Sequence, residues 1–213
     1  LIYGLPKQSV QVSGKTLDTV LAAQPDRFAV YAYAHLPQMF KPQKQIKVED
    51  LATPETRLQL LELTIDKLSA AGYIYIGMDH FALPDDELVL AQESGTMYRN
   101  FQGYSTRGYC DLVGLGVSSI GKVGDHYIQN LKTLPEYYGA IDRGELPVHR
   151  GYTMTRDDVI RRDVIQQIMC YGVLDFDATA TRHGIDFRQY FASELVALEP
   201  MVKDGLAEFA APG

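Results

Sequence analysis

Leu68-Ser69-Ala70-Ala71-Gly72-Tyr73-Ile74-Tyr75-Ile76-Gly77-Met78-Asp79-His80 carries the reading of the fold. A helix stops at Gly72, apolar residues follow as a strand, and the strand runs out into polar ones. Upstream, Thr53 caps that helix and Pro54 takes its first position, where a missing N–H costs nothing. Leu58, Leu61, Ile65 and Leu68 recur at helical spacing and predict its buried stripe. Before it lies a loop rich in Lys and Gln, from His35 to Asp50. Phe28-Ala29-Val30-Tyr31-Ala32-Tyr33-Ala34, nearly all apolar, predicts a strand covered on both faces. Thr16–Ala23 predicts a short helix with Leu17, Val20 and Leu21 on one side, and Leu1–Leu5 predicts a further strand. This β-α-β-α-β order predicts three parallel strands over residues 1–80, joined by right-handed crossovers. It fits part of an open (β/α) barrel, whose working residues sit at the C-terminal ends of the strands. Those ends are Gly4–Lys7, Ala34–Pro37 and Gly77–His80. Leu1-Ile2-Tyr3-Gly4-Leu5-Pro6 reads as the second half of a buried strand that needs neighbours this chain does not supply. The expectation is therefore the C-terminal piece of a longer protein.

Past Ala82 the pattern changes. Asp85–Glu93 predicts a short acidic helix, and residues 97–120 predict short strands with turns. From Leu134 the chain reads as mostly helical. Thr155 and Asp158 form a capping-box-like start, followed by Ile160, Val164, Ile165, Ile168 and Met169 as an apolar face. A small strand is expected at Val173–Phe176. A helix is expected from Asp186, with Phe187, Phe191, Leu195, Leu198 and Val202 on one side. The fold class is thus α/β: the second half of an open barrel and a small sheet over 1–132, then a mainly α-helical domain over 133–213.

A net charge of −7 and a pI near 5.2 argue against nucleic acid as partner, because phosphate binding needs a basic surface. Local basic patches keep a small anion possible. No apolar stretch reaches the roughly 18–20 residues that span a bilayer, so no membrane is expected. Cys110 and Cys170 form neither a metal motif nor a disulfide framework, which suits two reduced thiols in the cytoplasm. No metal site is expected within this chain, since no two His are spaced as ligands.

Several stretches have residue types suited to chemistry. Asp79 and His80 follow a predicted barrel strand; capping a turn and packing under a loop is an equally good reading. Arg99-Asn100-Phe101-Gln102-Gly103-Tyr104 puts a cation, two amides and two aromatics in six positions, and its glycine permits close backbone approach. The bare pattern slightly favours an ordinary surface hairpin. Gly114-Leu115-Gly116-Val117-Ser118-Ser119 fails as a dinucleotide fingerprint, because Ser119 occupies the third glycine position. It reads instead as a glycine-bearing strand, either simply buried or facing a flat ligand. His126 and Tyr127 are expected in a turn.

Taken together, Leu1–Pro6, Tyr33–Pro37, Gly77–Leu88, Arg99–Thr106, Asp111–Gly124 and Pro147–Met169 resemble the oxygen-independent coproporphyrinogen III oxidases, radical S-adenosylmethionine enzymes of haem biosynthesis. The most specific motifs are Gly77-Met78-Asp79-His80-Phe81-Ala82 and Arg99-Asn100-Phe101-Gln102-Gly103-Tyr104. The related haem chaperone carries a His-Asn…Tyr-Trp stretch at the second motif, whereas this chain has no Trp. The resemblance implies a radical S-adenosylmethionine barrel and oxidative decarboxylation of two propionates of coproporphyrinogen III to vinyls. In that reaction a 5′-deoxyadenosyl radical takes a hydrogen from each propionate, and loss of carbon dioxide and one electron yields protoporphyrinogen IX. It implies two S-adenosylmethionine molecules per site and a [4Fe-4S] cluster on a Cys-x-x-x-Cys-x-x-Cys motif absent from these residues. Ala34 resembles a backbone contact of one cofactor molecule and Ile120 a packing contact of the other, with Phe101 and Gln102 lining the same site. The isolated chain is then expected to be inactive and to self-associate through an exposed barrel edge. A haem- or porphyrin-binding module without oxidase chemistry is the alternative.

Overall fold

The computed structural model describes residues 1–210. Strand β1 (Ile2–Tyr3) leads to helix α1 (Val10–Leu21), which begins well before the expected Thr16 because the Ser9 hydroxyl accepts the Val12 N–H and caps it. The apolar run at Phe28 is two strands: β2 (Arg27–Ala29) and β3 (Tyr31–Ala32). Val30 breaks it by donating its N–H to the Asp79 carbonyl at 2.7 Å. β1 and β3 pair in parallel, with Ile2 opposite Tyr31.

Helix α2 (Pro54–Ala70) has the expected ends: the Thr53 side chain caps Thr56, and Gly72 leaves the helix at φ +89°. Its buried row differs from the expected one. Leu60, Thr64 and Leu68 face inward and Leu58 is 56% exposed. Thr64 tolerates that position because its hydroxyl donates to the Leu60 carbonyl at 2.7 Å, so no polar atom is stranded.

Strand β4 (Ile74–Gly77) turns back at once into β5 (His80–Ala82). β5 lies between β2 and β4 and runs antiparallel to both, with Phe81 opposite Phe28 and Tyr75. β2 and β4 therefore do run in the same direction, as the β-α-β order predicts, but they are not neighbours. The two-residue reversal depends on positive φ at Gly77 (+141°) and Met78 (+49°). Leu17, Phe28, Val30, Leu68, Tyr73 and Phe81 form the core beneath this sheet.

Helix α3 (Glu87–Glu93), capped by Asp86, precedes the hairpin β6 (Tyr98–Asn100) and β7 (Gly103–Ser105). Strands β8 (Ile120–Val123) and β9 (His126–Asn130) follow, then helix α4 (Leu134–Asp142) and strand β10 (Val148–Thr153). These strands make an antiparallel sheet in the order β10-β9-β8, so the small sheet draws one strand from beyond residue 132.

Helix α5 (Arg156–Tyr171) starts with the full Thr155–Asp158 capping box and ends at Gly172, φ +67°. Val173–Phe176 is not a strand. Asp175 caps helix α6 (Phe176–His183), and Phe176 stacks on Phe187 at 4.3 Å. The helix expected from Asp186 is broken at Phe191 into α7 (Phe187–Tyr190) and α8 (Ala192–Lys203). Phe191 turns inward there to pack with Phe187 and Ile160. Cys170 of α5 is buried among Ile76, Ala82 and Met97, and Gln92 donates to the carbonyls of both Ile76 and Cys170. Helix α5 is thereby anchored to the barrel strands.

Candidate functional site

Helix α5 has two working faces. Ile160 and Val164 enter the helical core. Asp158, Arg161, Arg162, Ile165, Gln166 and Met169, recurring at three- and four-residue spacing, instead line a cavity of about 970 Å³. Opposite them lie Tyr98 to Gln102, from β6 and its turn. Lys122 of β8, Tyr127 of β9, and Tyr152 and Met154 at the end of β10 close the sides. Gln166 fastens the two walls together. It accepts the Arg99 backbone N–H at 2.9 Å and donates to the Arg99 carbonyl at 2.6 Å.

At the lip, Asn100 accepts the Gln102 N–H at 2.8 Å and shapes the β6–β7 turn. Phe101, 60% exposed, meets Tyr127 edge to face with centroids 5.3 Å apart. The Gln102 side-chain amide makes no hydrogen bond among the described residues, so its donors and acceptor remain available.

The charges are strongly one-sided. Five cations (Arg99, Arg107, Lys122, Arg161, Arg162) face two carboxylates (Asp111, Asp158) in a chain whose net charge is −7. Both carboxylates are occupied. Asp158 accepts from the Thr155 hydroxyl and N–H and from Tyr152, bonds that hold its carboxyl below the usual range. Asp111 accepts the Gly124 N–H at 2.8 Å. Arg161 is spent on Glu194 and Asp157, and its guanidinium draws the Glu194 carboxyl down to about 2. Arg99 and Arg162 have no carboxylate partner among the described residues. Arg99 lies 5.0 Å over the Tyr104 ring, and its Nη1 is buried without a hydrogen bond. Arg162 reaches only the Met154 thioether, at 3.5 Å.

His80 sits behind this wall. Its ring packs edge-on against Tyr104 and Tyr31, and its Nδ1 is buried and unpartnered. Burial, aided by the Arg99 charge, pushes its pKa down against the opposing pull of Asp79. Tyr104 links the two regions by donating to the Met169 carbonyl at 2.9 Å.

The four residues expected to touch cofactor are placed differently from one another. Phe101 and Gln102 line the cavity. Ile120 does not, although it lies two residues before Lys122 on the same face of β8. Ala34 lies beyond β3, outside the cavity, and its carbonyl accepts from Gln43. The Gly114–Ser119 run is a loop and not a strand. Buried Asn130 holds it by donating to the carbonyls of Gly114 and Gly116 at 2.9 and 3.0 Å. His126 and Tyr127 belong to strand β9 instead of a turn. Sequence reasoning missed Tyr127, Tyr152 and Arg162 as wall residues. The one local signal was that Arg162 follows the capping Asp158 by one helical turn.

Among the described residues no three His, Cys, Asp or Glu gather as metal ligands, and no helix is long and apolar enough to cross a membrane. Cys110 is exposed, while burial pushes the Cys170 thiol up to about 11.

No protein-family model matches the chain. Curated relatives do. The oxygen-independent coproporphyrinogen III oxidase of Pseudomonas aeruginosa is 53% identical over all 213 residues, which cover 46% of that protein. Its counterpart in Salmonella typhimurium is 49% identical over the same residues and 47% of its own length. Among solved structures, the coproporphyrinogen III oxidase of Escherichia coli, described as a radical SAM enzyme, superposes with a TM-score of 0.94 at 48% identity. That match covers 99% of this chain and 48% of the other. The chain thus spans about half the length of the curated relatives it matches. In sequence and in fold these 213 residues are similar to about half the length of oxygen-independent coproporphyrinogen III oxidases.

Proposed function

We propose that this chain is the C-terminal part of an oxygen-independent coproporphyrinogen III oxidase, a cytoplasmic enzyme of haem biosynthesis. In the whole protein two propionates of coproporphyrinogen III are oxidatively decarboxylated to vinyls. The observation that supports this most is the match of 99% of the chain, with a TM-score of 0.94, to a radical SAM enzyme at 48% identity.

The residues present fit one implied group and not the other. An exposed Phe101 ring set against Tyr127, beside a free Gln102 amide, suits the adenine of S-adenosylmethionine by stacking and hydrogen bonding. Phe101 and Gln102 would hold it, Ile120 would add an apolar contact along β8, and the Ala34 backbone would touch a second molecule. When bound, S-adenosylmethionine supplies the radical that removes hydrogen. This chain's own residues would orient it. A [4Fe-4S] cluster does not fit. Cys110 is exposed at the cavity, Cys170 is buried among apolar side chains, and no thiolate set exists here. The domain division at residue 132, which β10 of the small sheet oversteps, the count of two cofactor molecules and the inactivity of the isolated chain belong to the same proposal.

A chimera tests it. The part of the Pseudomonas aeruginosa relative that this chain does not match, fused to these 213 residues, should convert coproporphyrinogen III under anaerobic reducing conditions. A folded chimera that carries its cluster yet leaves coproporphyrinogen intact would sink the proposal and favour a binding module.

A further inference from the structure

Between Asp111 and Gly124 the chain folds back on itself beside the cavity, and one buried side chain holds it there. Asp111, Leu112 and Lys122 line the cavity from the two ends of this segment. Leu112 and Lys122 exchange backbone hydrogen bonds, each at 2.8 Å. The stretches that follow and precede them pack backbone on backbone. A Cβ on Gly121 would lie 2.6 Å from the Leu112 carbonyl oxygen, and one on Gly114 would lie 3.1 Å from the Ile120 carbonyl carbon. Glycine at both places permits that approach.

The tip of the loop is closed by Asn130, 8% exposed at the end of β9. Its Nδ2 donates to the Gly114 and Gly116 carbonyls, and its backbone N–H donates to the Ser119 carbonyl at 2.9 Å. From the other side, the Tyr137 hydroxyl of α4 accepts the Gly116 N–H at 3.1 Å. These bonds hold Ser118 at φ +57°, a backbone conformation that is costly for a residue with a side chain. An apolar residue of the same size would leave both carbonyls without their donor. The sheet does not need this amide for its pairing, since β8 and β9 already pair from Ile120 to Val123.

We propose that Asn130 is a positioning residue for cofactor binding: it fixes the start of β8, and with it Ile120 and the cavity residue Lys122. Tyr127, opposite Lys122 on β9, extends the same frame to Phe101, which it meets edge to face. That the ligand so placed is S-adenosylmethionine rests on the function proposed above; the hold of Asn130 on the loop does not.

The chimera described above is the protein to test. Asn130→Leu keeps the bulk and removes the donors, Tyr137→Phe removes only the hydroxyl, and Phe187→Leu in the helical core serves as a destabilised control. Anaerobic turnover gives kcat and the KM for S-adenosylmethionine, thermal melts give stability, and hydrogen exchange follows the Gly116 and Ser118 amides. Asn130→Leu should raise that KM about tenfold or more, as ångström-scale displacement of a binding wall does, and should speed exchange of both amides. Tyr137→Phe should act in the same direction with a smaller effect. Phe187→Leu should lower the melting midpoint and leave the KM unchanged. With an active parent, parental KM in both loop variants would overturn the positioning role and leave the functional reading intact. An equal rise in Phe187→Leu would overturn it too, because the effect would then follow stability alone. A folded parent chimera that carries its cluster and turns nothing over would overturn the functional reading and the cofactor role with it, while exchange still decides whether Asn130 holds the loop. Should Asn130→Leu fail to fold, Tyr137→Phe decides the matter.

Discussion

Gln166→Leu removes the one side chain that bonds both backbone groups of Arg99 while keeping most of its volume. Two hydrogen bonds are lost, at 2.9 and 2.6 Å, and the Arg99 N–H and carbonyl lose these partners at a half-buried strand residue. Each such bond contributes about 1 kcal/mol net, and a buried group left unpaired costs more. We therefore expect a loss of about 2–3 kcal/mol. For a chain of this size that lowers the thermal midpoint by roughly 4–12 °C. Because β6 carries Arg99 and leads into Phe101 and Gln102, the wall should also loosen. Thermal melts followed by circular dichroism measure the first effect, and Phe101-to-cavity probe quenching the second. A midpoint within a degree of the parent would show that α5 and β6 are held together by something other than the Gln166 bonds.

Gly77→Ala should destabilise the β4–β5 reversal, because its Cβ would come within 2.8 Å of the Tyr104 hydroxyl and φ is +141° there; unchanged urea midpoints would refute this. His80 has a folded pKa below its ordinary 6.5, so its contribution is fully present above pH 6.5 and is lost as pH falls through the folded value. His80→Phe should flatten the acid side of the stability–pH curve, and a curve of unchanged slope would count against the assignment. Ile2 is 49% exposed on β1, whose only partner among the described residues is β3. Ile2→Lys should reduce concentration-dependent association in sedimentation, as a charge on an open edge does. In the chimera, Ala34→Trp should fold normally and lose cofactor turnover; parental turnover would mean that no cofactor lies against Ala34.

Local chemistry was legible in the residues alone. The ends of α2 at Thr53, Pro54 and Gly72 and the capping box of α5 appear as read, because each depends on bonds between residues at most four apart. The motif Arg99–Tyr104 forms the hairpin that its bare pattern slightly favours, and that pattern alone did not mark its turn as part of a cavity wall. Strand partners were not legible. Apolar runs at Phe28 and Tyr73 show that strands form there, but the insertion of β5 between them depends on a reversal at Gly77 and Met78 and on Val30 bonding Asp79. Likewise Leu60, and not Leu58, became the inner residue of α2 only once α1 and the sheet had set the direction of the core. The cavity was the least accessible of all. Arg99, Tyr127, Tyr152 and Arg162 lie on separate elements, and their shared space arises from long-range packing, which no periodicity in the chain records.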